Sequence, residues 1–206
     1  ACEGEILVVG LGSNLLVSDG GFAGLAIQLG VGFQSIGVSG EMVTAGGATS
    51  LPVLARRTVA DGLTGFEWAV GVPGSLGGAV RMNAGGHGSD MASVLEEATT
   101  INLLTGVRRV RPVDSLALDY RTSDVGPADL VTSAVLRLEE AAATDAAIGW
   151  ALSAYRFDRY KSEAAAAPLG LDRQGDLGPG ADARDLDHAA HRLAGLGRAG
   201  DQAGGV

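Results

Sequence analysis

Apolar positions in this chain fall mostly in short runs cut by glycine, and only one early segment repeats them at helical spacing. Glu5-Ile6-Leu7-Val8-Val9 runs into Gly10-Leu11-Gly12-Ser13-Asn14, which predicts a strand entering a glycine loop. Residues 25–29, 34–38 and 41–45, split by turns at Gly30, Gly32 and Gly40, predict short strands in a meander. Residues 97–103 and 107–111 flank Thr105-Gly106 as a hairpin, and residues 130–138 form one more strand. The helical exception places Leu51, Leu54, Ala55, Thr58 and Val59 on one stripe, with Ser50 as cap, Pro52 in the first turn and Gly62 beyond the end. Arg56, Arg57 and Asp61 lie off that stripe and are expected in solvent. Strands outnumber helices, so the expected class is α+β.

Past residue 138 the pattern changes. Residues 139 to about 161 suit a helix carrying Ile148, Trp150, Leu152 and Tyr155, and no aromatic follows Tyr160. The remainder is an Ala/Gly-rich tail with one weak helical stretch at 186–196, too poor in β-branched and aromatic residues to bury a core, and it is expected to be loosely ordered.

One stretch, residues 62–88, is denser in glycine than any turn requires. Phe66, Trp68, Val70, Val72, Leu76 and Val80 interleave those glycines, which excludes a floppy linker. Val72-Pro73-Gly74-Ser75 reads as a turn into a short helix, with Ser75 as N-cap and free amides beyond it. Gly77 and Gly78 each cost that helix about 1 kcal/mol relative to alanine, so a side chain there is expected to collide with a neighbour. That neighbour is either a flat or phosphorylated ligand or simply another part of the protein. The first loop has the same two readings. The amides of Gly12, Ser13 and Asn14 can form an anion-binding nest, or the segment can be an ordinary strand-to-turn junction. Asp19-Gly20-Gly21 follows too soon for the long helix of a Rossmann crossover.

The 206 residues carry 15 basic and 24 acidic side chains, a formal charge of -9, which is a poor balance for nucleic acid. A phosphate would therefore be gripped by main-chain amides in a cleft. No apolar run reaches the length of a membrane span, and the single cysteine, Cys2, forbids an internal disulfide, so cytoplasm is expected. His188 and His191 stand three apart without the carboxylate and third ligand of a zinc motif, and His87 sits between glycines as a loop residue, so no metal site is expected.

Taken together, Gly10-Leu11-Gly12-Ser13-Asn14-Leu15-Leu16, Gly62-Leu63-Thr64-Gly65-Phe66-Glu67, Gly71-Val72-Pro73-Gly74-Ser75-Leu76-Gly77-Gly78-Ala79, Met82-Asn83-Ala84-Gly85 and Tyr120-Arg121-Thr122-Ser123 resemble the UDP-N-acetylenolpyruvoylglucosamine reductases. The motifs stand in that family's order over about residues 6–138. The resemblance implies an FAD-binding fold of the vanillyl-alcohol-oxidase (PCMH-like) type, with an FAD-binding domain over 1–138. It implies that Gly12, Ser13 and Asn14 lie against the FAD pyrophosphate with Gly10 and Leu15 also binding the cofactor, and that Gly71, Val72, Pro73, Gly74, Ser75, Gly77, Gly78 and Asn83 form a second wall. Arg121 would be catalytic, with Tyr120 helping to position it. NADPH would be the co-substrate and a UDP-sugar the small-molecule substrate.

Two departures accompany the resemblance. The family carries an Asn-Thr and Arg-x-Gly-Gly segment and a helix before the first glycine loop, so the first subdomain is expected to be incomplete. Its proton-donating serine, in a Gly-Ser-x-Phe-Lys-Asn-Pro motif, and its late glutamate have no counterpart after Leu138. Instead Tyr155-Arg156-Phe157-Asp158-Arg159-Tyr160-Lys161 resembles the domain junction of two-metal leucine aminopeptidases, without the metal-site motifs of that family. A non-catalytic FAD-binding remnant, and another oxidoreductase of the same fold, remain the alternatives. The sequence says nothing of the oligomeric state.

Overall fold

The structure is a computed structural model that describes residues 5–86 and 88–141. His87, the expected helix beyond residue 141, the tail with His188 and His191, and the aminopeptidase-like heptapeptide lie outside the described residues.

The core is a five-stranded antiparallel sheet. Its strands are β3 (Ile36–Ser39), β4 (Met42–Gly46), β8 (Leu95–Asn102), β9 (Arg108–Pro112) and β10 (Asp129–Arg137), in the order β3-β4-β10-β8-β9. Helices α1 (Leu51–Ala60) and α2 (Leu76–Arg81) pack against it, so that Leu51, Leu54, Leu76 and Val80 share one buried cluster with Val43, Ala98, Ala134 and Leu136. Burying aliphatic side chains of this size contributes about 1.5–3 kcal/mol each relative to exposure.

Most strands lie where alternation placed them, but the meander does not form. Strand β1 (Glu5–Val9) pairs in parallel with β2 (Gly24–Gln28) in a separate two-stranded sheet, and of the expected meander β3 and β4 alone pair with each other, as a hairpin. A parallel partner requires a long connection, and residues 10–23 supply it. A 3-10 turn at Val31–Phe33 then separates β2 from the hairpin. The expected helix start at 139 is also replaced. Glu139–Glu140 form β11, antiparallel to β5 (Leu63–Thr64). There the Ala141 amide donates to the Gly62 carbonyl at 2.9 Å.

One irregularity in the sheet positions what lies above it. The β8–β10 register shifts between Val131 and Ser133, and the intervening Thr132 carbonyl accepts the Gly47 amide at 2.8 Å. A β-bulge of this kind bends the strand and re-aims its carbonyls. Here the Val131 carbonyl faces α2 so closely that a Cβ on Gly77 would stand 3.2 Å from it and 3.1 Å from the Gly47 carbonyl.

Candidate functional site

The first wall begins where β1 ends. Gly12 has φ +74 with open space around its Cα, and no partner among the described residues takes the amides of Gly12, Ser13 and Asn14. Successive unpaired N–H groups in such a loop form an anion-binding concavity. The loop is held from below. Gln28 Nε2 donates to the Gly10 carbonyl at 2.6 Å, and the Ser13 hydroxyl donates to the Pro73 carbonyl at 2.9 Å. A Cβ at Gly10 would stand 2.6 Å from Ser75 Oγ, so any other residue there would displace the hydroxyl that caps α2.

The second wall runs from Glu67 through α2. The Glu67 carboxylate is 8% exposed and accepts the Thr64 hydroxyl and, at 2.8 Å, the Gly65 amide, which ties the Gly-Leu-Thr-Gly-Phe-Glu motif into one loop. That loop leads through a 3-10 turn, Glu67–Gly71, to Pro73 and Gly74, where φ reaches +139. Ser75 caps α2 as expected, accepting the Gly78 amide on its Oγ at 3.3 Å. The amides beyond it are not free, contrary to expectation. Leu76 donates to the Thr49 carbonyl at 2.8 Å and Gly77 to the Gly47 carbonyl at 2.9 Å. Gly77 is thus glycine because α2 is pressed onto the backbone of the sheet. Ser50, expected to cap α1, makes no such bond with its side chain. The Leu51 amide goes instead to the Gly74 carbonyl at 3.0 Å, so α1 and the second wall share a joint.

A third element reaches the same place from the loop that follows β9. Asp119 and Thr122 exchange backbone hydrogen bonds at 3.1 and 3.2 Å, closing a tight turn with Tyr120 and Arg121 at its tip. Arg121 has φ +57. Holding a side chain in the left-handed region costs about 1–2 kcal/mol, and such strain concentrates at functional sites. Tyr120 is 85% exposed, with the Arg121 guanidinium carbon 5.8 Å from its ring centre. Arg111 of β9 binds the Asp124 carboxylate at 2.9 Å and the carbonyls of Ser115 and Asp124, bracing the loop that carries the turn.

These elements enclose a cleft of about 760 Å³, within the range of cofactor sites, roughly 300–1,000 Å³. It is lined by every candidate of the first loop, by residues 71–75 and Gly78, and by Arg121. Gly77 faces an adjoining chamber of about 250 Å³ that shares the Val8–Leu11 and Ser75 walls. Tyr120 and Asn83 line neither. Asn83 is buried, and its amide nitrogen donates to the Asp90 carboxylate and the Asp119 carbonyl while its oxygen accepts the Ala92 amide. One residue escaped the sequence reading. Arg81 lines both chambers and forms no ion pair among the described residues, so it offers a cation to an anionic ligand. A lone arginine inside the glycine stretch was the available signal.

An α+β core with a glycine-walled cleft, unpaired amides at one side and arginines at the other, defines a domain that takes up an anionic, extended cofactor. The chain belongs to the FAD binding domain family, whose match covers residues 3–110. That membership carries the FAD-binding fold of the vanillyl-alcohol-oxidase type. It is similar to UDP-N-acetylenolpyruvoylglucosamine reductase of Bacillus subtilis (strain 168), 43% identical over 141 residues, covering 65% of this chain and 44% of the relative. It also resembles the enzyme of the same name from Gluconobacter oxydans (strain 621H), 41% identical over 132 residues, covering 64% of this chain and 43% of the relative. Among solved structures it resembles UDP-N-acetylenolpyruvylglucosamine reductase from Thermus caldophilus, with a TM-score of 0.68, 28% identity, and coverage of 94% of this chain and 82% of that one. The chain spans less than half the length of these two curated relatives.

Proposed function

We propose that the cleft holds FAD and that this chain is the flavin-binding part of an NADPH-driven reductase, which reduces the enolpyruvyl group of a UDP-linked N-acetylglucosamine to give UDP-N-acetylmuramate for peptidoglycan. The observation that carries this reading is the set of unpaired amides at Gly12, Ser13 and Asn14, opening on a cleft that Arg121 also lines. The residues present fit the cofactor. Bare backbone at Gly10, Gly12 and Gly74 admits a flat dinucleotide, the nest of amides suits its diphosphate, and Arg81 adds a cation.

Bound there, FAD supplies hydride transfer. The residues of this chain do the rest. The nest fixes the diphosphate, residues 71–75 form a close backbone wall along the cofactor, and Arg121 grips the substrate carboxylate with a planar, permanently charged fork. Hydride addition to the enolpyruvyl double bond drives negative charge toward that carboxylate, and a guanidinium held in advance stabilises it most as it forms. No residue of this chain is assigned the proton transfer. An NADPH-linked step in precursor synthesis belongs in the cytoplasm.

A non-catalytic flavin-binding role is the second reading, since a nest of unpaired amides beside a glycine wall holds a cofactor whether or not turnover follows. The visible absorption spectrum of the purified chain, taken after adding FAD and removing the excess by gel filtration, tests the first claim. Retained flavin bands support the cleft, and a colourless protein overturns it. NADPH oxidation dependent on the enolpyruvyl UDP-sugar then separates catalysis from binding alone.

A further inference from the structure

The cleft has an arginine at a strained position in an exposed turn, and something must hold it there. Two hydrogen bonds do so, one on each side of the tip. Asn83 Nδ2 donates to the Asp119 carbonyl at 3.2 Å, just before Tyr120, and Ser123 Oγ donates to the Arg81 carbonyl at 2.7 Å, just after Thr122. Both partners belong to one short stretch, the end of α2 and the two residues beyond it. We propose that Asn83 and Ser123 are positioning residues that set the aim of Arg121 by tying both ends of its turn to α2.

Asn83 is built as a strut. It is 6% exposed, and its other two polar contacts, to Asp90 at 3.1 Å and Ala92 at 2.9 Å, fix the amide plane from behind. Its φ of +40 turns the chain out of α2 toward the turn it holds. Ser123 is held in the same manner, since its Oγ also accepts the Val125 amide at 3.3 Å. The other end of α2 carries Ser75, Gly77 and Gly78 in the wall of the cleft and its adjoining chamber. A single six-residue helix therefore fixes the arginine relative to the cofactor wall. This explains why Asn83 accompanies the glycine motif without lining the cleft, and why a serine follows the arginine by two.

The inference rests on the reading of Arg121 given above, and its test separates the two. FAD-loaded full chain is prepared as parent, Asn83→Ala, Ser123→Ala, Ser123→Thr and Arg121→Ala. The first readout is tryptic nicking after Arg121, followed by mass and repeated without flavin. The second is the Kd of the enolpyruvyl UDP-sugar, read from the flavin absorbance change with NADPH omitted. Loss of either tether is expected to speed nicking and weaken sugar binding about 3- to 10-fold, with FAD affinity unchanged and Ser123→Thr restoring both. Should Asn83→Ala fold poorly, Ser123→Ala carries the test. Nicking and Kd equal to the parent's in the tether variants would overturn the proposal. An Arg121→Ala chain that binds the sugar as the parent does would overturn the functional reading, and with it the purpose of the tethers.

Discussion

The two glycine-rich walls of the cleft look alike in sequence and are built for opposite reasons. In the first loop, Gly12 stands in open space and the amides around it have no partner among the described residues. In α2, a Cβ added at Gly77 would stand 3.1 Å from the Gly47 carbonyl oxygen, and the first amides are all spent inside the protein. A glycine can thus be required by a ligand that approaches the backbone or by a backbone that approaches another backbone. Only the destination of the neighbouring hydrogen bonds tells which.

Four substitutions or conditions sharpen this contrast. The largest effect is expected away from both walls. Arg121→Ala should lower turnover about 100-fold or more while FAD stays bound, since its role is in the transition state, and parallel loss of cofactor would make it structural. Next comes Gly77→Ala, whose methyl meets backbone atoms that cannot swing aside. It should cost about 1–3 kcal/mol and lower Tm by roughly 3–10 °C with or without flavin. Gly12→Ala should behave differently. Its methyl meets no atom of the described residues within 4 Å, so the cost to the unliganded fold is about 1 kcal/mol of backbone strain, while FAD binding weakens about 10-fold. If thermal melts and FAD titrations show the same pattern for both alanines, the contrast between the walls is wrong.

The smallest effect lies on the sheet, far from ligand chemistry. Arg137 binds Glu96 through two bonds of 2.9 and 3.1 Å, joining β8 to β10. Hydrogen bonding to that guanidinium, and then its charge, hold the Glu96 carboxyl below its usual value. A depressed carboxylate stabilises the fold above its unfolded pKa, and that contribution is lost as pH falls through the folded pKa. Thermal melts of Glu96→Gln and the parent should therefore differ slightly at neutral pH and converge in acid. A gap that persists at low pH would assign the difference to packing.

Several elements were legible because their signal is local. The patterns at 97–103 and 130–138 were enough to place the strands that form at Leu95–Asn102 and Asp129–Arg137, and the stripe through Leu51, Leu54, Ala55 and Thr58 was enough to place α1. The Ser75 cap was legible for the same reason, since a hydroxyl three residues from its amide partner needs nothing distant. Strand β2 was read as the first strand of a meander, yet it pairs with β1, because a strand's partner is decided by where the connecting loop can return, which periodicity does not encode. Ser50 stands at the N-cap of α1 as expected but makes no cap bond with its side chain, and the Leu51 amide beside it is taken by the carbonyl of Gly74, far along the chain.

The sequence by itself determined the class of fold, the places of most strands, the helix α1 and the cap of α2, because apolar period, capping chemistry and glycine density act over a few residues. Tertiary structure alone decided what each of those residues does there. Whether an amide is free at Gly12 or spent at Gly77, and whether Asn83 faces a cofactor or holds the turn of Arg121, depends on carbonyls brought close from elsewhere in the chain. A hydrogen bond or a steric contact is a property of a pair, and a sequence lists only one member at a time.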